Sequence, residues 1–135
     1  MTAYRTLTQQ GSYWVERTFS VPNACTSTSG LDLSVRIQVR VSRSGNNFTI
    51  TNANIRIQTG DATINPQWVH AHGNPSRNFY REQSGTVWED QTKSFYYSPN
   101  IAAYREGYVF ENVAVGMPHP DAGCNYEFRY ILTTF

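Results

Sequence analysis

The sequence predicts an all-β fold, a single antiparallel β-sandwich of roughly eight strands with a jelly-roll or immunoglobulin-like arrangement. Three observations support this prediction. The chain of 135 residues has 14 Thr, ten Val and seven Ile, but only four Leu, one Lys and six Glu, a composition that favours strands over helices. Apolar residues alternate with polar ones in several segments. Gly, Pro and Asn separate these segments, as turns require. The length fits one domain, residues 1–135.

The clearest element is a β-hairpin near the middle of the chain. In Leu31 to Ser42, apolar residues at odd positions alternate strictly with polar residues at even positions, which is the period of a half-buried strand. Ser44 to Asn47 contains Gly and Asn, which tolerate positive φ, and predicts a turn. Phe48 to Gln58 then returns as the partner strand.

The second strand of this hairpin changes its apolar phase. Its apolar residues stand at even positions up to Ile50 and at odd positions from Ile55 onward. A slip of one residue would turn every later side chain to the other face, so we expect a β-bulge near Asn52 to Asn54.

Further strands are predicted in segments where apolar residues recur at every second position, or which stop before a Pro or Gly. The better patterned ones are Tyr13 to Val21, Tyr108 to Val115 and Cys124 to Leu132. Weaker candidates are Arg5 to Thr8, Thr86 to Glu89 and Lys93 to Tyr97.

The segment 60–107 lacks sustained alternation and concentrates aromatic rings among amide, hydroxyl and guanidinium side chains. We expect short strands to interrupt it, because long structureless insertions are rare in compact domains. Rings that stack on sugars, beside groups that bond hydroxyls, are typical of carbohydrate sites. The alternative is that these rings pack in the core. The candidate ligand-binding residues are Trp68, Asn78, Tyr80, Arg81, Trp88, Glu89, Tyr96 and Tyr97.

The favoured hypothesis is therefore a secreted, non-catalytic, lectin-like recognition module that binds carbohydrate. The alternative is a structural or adaptor subunit of a larger extracellular or virion assembly, which binds protein partners through sheet edges and faces rich in Arg and Tyr. A net charge of +1 argues against nucleic acid as a partner. No apolar run approaches the roughly 20 residues of a membrane-spanning helix, so we expect no membrane insertion.

We predict no enzyme activity, no cofactor and no metal. The nucleophile elbow, the phosphate-binding loop and the H-E-x-x-H motif are absent from the sequence. Acids such as Glu89 and Glu106 could form a glycosidase pair, but ten acids in this chain always offer some pair. His70 and His72 have the spacing of metal ligands, and His119 or Asp121 could supply a third, yet nothing in the sequence fixes their convergence.

Cys25 and Cys124 are the only cysteines, and we predict that they form a disulfide. Closing so long a loop stabilises the fold by somewhat over ~4 kcal/mol on the chain-entropy estimate. A disulfide implies an oxidising, extracellular compartment. Because no signal segment opens the chain, this prediction requires a mature form that carries a start methionine. The alternative is two buried thiols.

Arg36 lies on the polar side of the first hairpin strand, and counting the bulge places it near Arg56. Like charges directly opposite each other destabilise a sheet. One interpretation is a contact with an anion or an acidic partner. The other, which we favour, is that a neighbouring strand supplies Glu127 or Glu111 between them.

Overall fold

The computed structural model describes residues 1–24, 31–58, 61–65, 67–70, 77–80, 83–85, 92–110, 112–116 and 124–135. These residues form strands and no helix, and nearly all strand pairs are antiparallel, which confirms the all-β prediction. None of them belongs to a helix that could cross a membrane. They contain fourteen strands, so the expected number of roughly eight is not confirmed.

The strands follow one another along the chain as short and long segments. They are β1 (Thr2–Thr6), β2 (Gly11–Ala24), β3 (Leu31–Ser44), β4 (Asn47–Gln58), β5 (Asp61–Asn65), β6 (Gln67–His70), β7 (Arg77–Tyr80), β8 (Gln83–Gly85), β9 (Thr92–Tyr97), β10 (Ile101–Tyr104), β11 (Glu106–Tyr108), β12 (Asn112–Gly116), β13 (Cys124–Glu127) and β14 (Arg129–Thr133). The segment 60–107 therefore includes short strands, as expected.

The largest sheet, called the central sheet below, has five strands in the order β10-β4-β3-β2, with β9 also paired to β4. Its middle is the predicted hairpin of β3 and β4, whose turn holds Gly45 at a φ of 62°. Val35, Ile37 and Val39 are fully buried, whereas Arg40 is exposed. The predicted alternation along β3 is confirmed, and it gives the sheet one apolar face and one polar face.

The predicted bulge is present in β4. Arg40 pairs with Asn52 and Val41 pairs with Ile50, so Thr51 is the extra residue. The Thr51 hydroxyl donates a hydrogen bond to the Arg40 carbonyl at 3.2 Å. The bulge lies one residue before the predicted range, and beyond it the apolar side chains of β4 return to the buried face.

A second irregularity lies beside the bulge, on the other edge of β4. Tyr97 of β9 pairs with Ala53, and Ile101 of β10 pairs with Ile50. Three residues of the β9–β10 connection thus face two residues of β4. Asn100 in this connection has a φ of 50°, a conformation that Asn tolerates better than most residues. β9 and β10 are therefore one edge strand broken at the level of the bulge.

A second sheet, in the order β1-β14-β11, contributes to the same core. β1 runs parallel to β14, and β11 antiparallel to it. The rings of Phe19 in the central sheet and Phe128 next to β14 lie 5.3 Å apart. The Tyr130 hydroxyl donates a hydrogen bond to the Glu16 carbonyl at 3.2 Å. The buried residues of both sheets form one cluster.

Two predicted strands are each divided in the structure. Val109 and Phe110, both fully buried, separate β11 from β12, and Phe128 separates β13 from β14. In each case the two halves pair in different sheets. Beyond Phe128 the predicted apolar face is present at Tyr130 and Leu132, but Ile131 on the opposite phase is buried as well. A strand covered on both faces loses its polar phase.

The remaining described strands form a four-stranded sheet, β13-β12-β5-β8, and a two-stranded sheet, β6-β7. The first strand of the chain is Thr2–Thr6 rather than the predicted Arg5 to Thr8. The predicted strand Thr86 to Glu89 lies outside the described residues. The predicted Lys93 to Tyr97 is confirmed as β9.

Truncating Phe128 tests the joint core of the two sheets. Phe128→Ala removes a fully buried ring in contact with Phe19 and is expected to lower the free energy of unfolding by about 3–5 kcal/mol. Tyr4→Ala is the matched control, because Tyr4 is 72% exposed and should cost less than about 1 kcal/mol. Urea denaturation of both variants gives the comparison. Equal losses would show that Phe128 is not part of a shared core.

Candidate functional site

The predicted site residues that the structure describes fall in two groups, one in the β6–β7 hairpin and one in β9. Trp68, Asn78 and Tyr80 belong to the β6–β7 hairpin, where Trp68 pairs with Phe79 and the other two lie at neighbouring register positions. The structure therefore brings these three together along the backbone of one hairpin. Arg81, Trp88, Glu89 and Cys25 lie outside the described residues. Cys124 begins β13, and its disulfide with Cys25 stays a prediction.

Tyr96 and Tyr97 are neighbours in β9 and lie on opposite faces of the central sheet. Tyr96 is 72% exposed, whereas Tyr97 is 5% exposed and belongs to the core. Burial raises the pKa of Tyr97 to about 12. Tyr96 is thus accessible to a ligand, and Tyr97 is one of the rings that pack in the core.

Metal ligation has no assembled site in the part of the chain that the structure describes. No group of three or more His, Cys, Asp or Glu side chains comes together within that part. His70 ends β6, while His72, His119 and Asp121 lie outside the described residues.

The face of the central sheet away from the core, called the polar face below, is a second candidate surface. It consists of the even-numbered residues of β2, β3 and β9 and those of β4 after the bulge. One row across four strands reads Glu16, Gln38, Asn54 and Tyr96. Gln38 Nε2 donates a hydrogen bond to Glu16 Oε2 at 3.3 Å. The face therefore presents amide groups between an acid at one edge and an aromatic ring at the other.

A second exposed ring, Trp14, lies on the same face at the β2 edge. Trp14 pairs with Arg40, one row away from Glu16, and is 50% exposed. Three strand spacings separate β2 from β9, so Trp14 and Tyr96 lie about 15 Å apart across the sheet. The two rings flank the polar groups of β3 and β4.

Trp14 is not among the predicted site residues, because it stands alone outside the aromatic-rich segment 60–107. A signal for it exists. In β2 the buried residues Val15 and Phe19 stand at odd positions, so an aromatic residue at position 14 is out of phase with the core. Out-of-phase aromatics on a half-buried strand are exposed by the geometry of the strand itself.

The predicted proximity of Arg36 and Arg56 is confirmed, since the two are direct register partners in β3 and β4. The favoured prediction is that a neighbouring strand places Glu127 or Glu111 between the two arginines. This prediction is wrong for Glu127. That residue lies in β13 of another sheet, and its carboxylate is 3.9 Å from the Arg129 guanidinium. The strands that flank β3 and β4 are β2, β9 and β10. Glu111 lies outside the described residues.

Comparisons with known proteins add no functional information. No family model and no curated protein matches the chain. A solved structure, Northeast Structural Genomics Consortium target SoR45, aligns with 92% of this chain and 87% of its own chain at 7% sequence identity, with a TM-score of 0.34. A likeness this weak supports no argument about function.

The buried position of Tyr97 predicts a pH effect. In the unfolded chain its phenol ionises near pH 10, whereas in the folded protein its pKa is about 12. The unfolded chain therefore loses the proton first as pH rises. The contribution of Tyr97 to the free energy of unfolding is complete below about pH 10 and is lost as pH approaches 12.

Urea unfolding of the wild type and Tyr97→Phe at about pH 8 and pH 11 measures this effect. The free energy should fall less steeply with pH in Tyr97→Phe, because the variant lacks the ionising group. Parallel declines in the two proteins would contradict the assignment of Tyr97 to the core.

Proposed function

We propose that this protein is a secreted, non-catalytic recognition module that binds carbohydrate through the polar face of the central sheet. The observation that carries the proposal is the pair of exposed rings, Trp14 and Tyr96, on either side of amide and guanidinium groups. Aromatic rings cover the apolar faces of sugars, and neighbouring amides and guanidiniums bond the hydroxyls.

The polar face suits an extended ligand that lies across the strands. Gln38 and Asn54 are paired in the register between the two rings, and an amide both donates and accepts hydrogen bonds. Both residues sit on long paired strands in the middle of the sheet. Side chains on such strands are held more precisely than side chains on loops.

The proposal also includes the arrangement of the sheets and the cellular compartment. The core shared by the central sheet and the β1-β14-β11 sheet favours a β-sandwich, with jelly-roll or immunoglobulin-like connectivity. A Cys25–Cys124 disulfide and an extracellular location complete it. The aromatic candidates Trp68, Trp88 and Tyr80 would extend the binding surface.

Alanine substitution of the two exposed rings tests the proposal. Trp14→Ala and Tyr96→Ala should each weaken retention on immobilised polysaccharides on the order of tenfold, since exposed aromatic anchors dominate binding energy. Melting temperatures should stay close to that of the wild type. Tyr4→Ala is the control, because Tyr4 is also 72% exposed but lies in the other sheet.

A parallel Trp68→Ala variant separates the polar face from the region 60–107. Retention that is lost in Trp68→Ala but normal in Trp14→Ala and Tyr96→Ala would place the site in that region and refute the polar face. Unfolding of Trp68→Ala would instead assign Trp68 to the core.

The second candidate is a subunit of a larger assembly. Its support is β2, a strand of 14 residues that pairs with β3 alone within the described ranges. An edge of this length can take a strand from a neighbouring molecule. Size exclusion with light scattering on the protein from its own source decides it: a large particle supports the assembly, and a mass near one chain contradicts it.

A further inference from the structure

One row of the polar face carries only side chains that can donate hydrogen bonds to an anion. Across β2, β3, β4 and β9 it reads Thr18, Arg36, Arg56 and Ser94. We propose that this row, called the arginine row below, binds an oxyanion. Resting on the proposed function, we further infer that the ligand is an acidic polysaccharide, whose sulfate or carboxylate groups dock on the row.

Within the part of the chain that the structure describes, no acid neutralises the charges of the arginine row. Arg36 and Arg56 face each other directly in an antiparallel pair, where side chains are about 5 Å apart at Cβ and like charges repel. Among the described residues, neither guanidinium forms an ion pair. The described acids on the polar face are Glu16 and Asp32. Glu16 is hydrogen-bonded to Gln38 one row away, and Asp32 is four residues along β3 from Arg36, about 13 Å.

The surroundings of Arg36 also leave one of its own donors unsatisfied. Its Nε is buried and has no hydrogen-bond partner within the part of the chain that the structure describes. A desolvated donor without an acceptor is costly. A bound oxyanion would offset the repulsion between the guanidiniums and accept hydrogen bonds from them, a contact for which the planar, forked guanidinium is well suited.

The row is open to a ligand at both ends. Thr18 and Ser94, which flank the two arginines, are exposed. Both carry hydroxyl groups that can donate to the same anion. Tyr96, the exposed ring of the proposed sugar site, is two residues from Ser94 on the same strand and face. An acidic sugar chain can therefore place its anion on the arginine row while a neighbouring sugar ring stacks on Tyr96.

The experiment compares the wild type with Arg36→Gln and Arg56→Gln. Arg17→Gln is the control, because it removes the same charge from β2 at an exposed position of the opposite phase. Binding to dextran sulfate, polygalacturonate, neutral dextran and polyglutamate is measured at low and high NaCl. Thermal melting with low-millimolar sodium sulfate, against NaCl of equal ionic strength, measures binding of the free anion.

The proposal expects the wild type to bind dextran sulfate or polygalacturonate more tightly than dextran, and less tightly as NaCl screens the charges. Arg36→Gln and Arg56→Gln should each weaken this binding about tenfold or more, since each loses a charge-assisted hydrogen bond, while Arg17→Gln stays near the wild type. Sulfate should raise the melting temperature of the wild type but not that of Arg56→Gln. In buffer without sulfate, phosphate or polyanion, Arg56→Gln should melt no lower than the wild type, because the repulsion between the two opposed guanidiniums is removed.

The other outcomes separate the two proposals. Equal binding of dextran by the wild type and both variants, with no response to sulfate, overturns the arginine row and leaves the carbohydrate module. A sulfate response lost in the variants, with no polysaccharide bound, keeps the oxyanion site and overturns the carbohydrate ligand. Tighter binding of polyglutamate than of any polysaccharide replaces the carbohydrate by an acidic protein. No response to any probe overturns both.

Discussion

Burial of Val35, Ile37 and Val39 on one side of β3 commits the residues between them to the other side, because successive side chains of a strand alternate. β3 lies between β2 and β4, so both neighbours must match its phase to bury their own apolar residues. The buried residues of the central sheet and of the β1-β14-β11 sheet join this apolar surface in one cluster. The polar face is the necessary counterpart of that core: Arg36 and Arg56 oppose each other because their apolar neighbours do.

The bulge at Thr51 keeps the apolar side chains of β4 on the buried face of the central sheet on both sides of it. It inserts one residue between two stretches of β4 that are each in phase with β3. On the other edge of β4, the β9–β10 connection has one residue more than the segment of β4 that it faces. A bulge increases the local twist and bends the strand. The edge opposite β3 is therefore covered by two short strands, and each brings an exposed ring to the face away from the core, Tyr96 from β9 and Tyr104 from β10.

Sequence alone predicts those parts of the fold in which a strand has one buried face and one solvent-exposed face. The β3–β4 hairpin, β9 and the juxtaposition of Arg36 and Arg56 follow from alternation and from counting one bulge. The breaks at Val109 and Phe128 do not, because the buried residues there belong to two sheets and no local period marks the transfer. Tyr97 and Tyr96 show the same limit within the candidate site: both are aromatic, and only their phase against β4 separates core from surface. The parallel pairing of β1 with β14 has no local signal at all.

That parallel pairing imposes an order on how the chain acquires its structure. The amino group of Met1 donates a hydrogen bond to the Glu127 carbonyl, 126 positions away, and Leu7 N donates to the Thr133 carbonyl. Contacts so distant along the chain close late, after the loop entropy between them has been offset by other contacts. On the ribosome, β3 and β4 can pair while the last strands are still unmade, but β1 has no partner until β14 has emerged. β1 is thus synthesised before β3 and β4 but incorporated after them, and its backbone groups stay without their β14 partners until β14 is made.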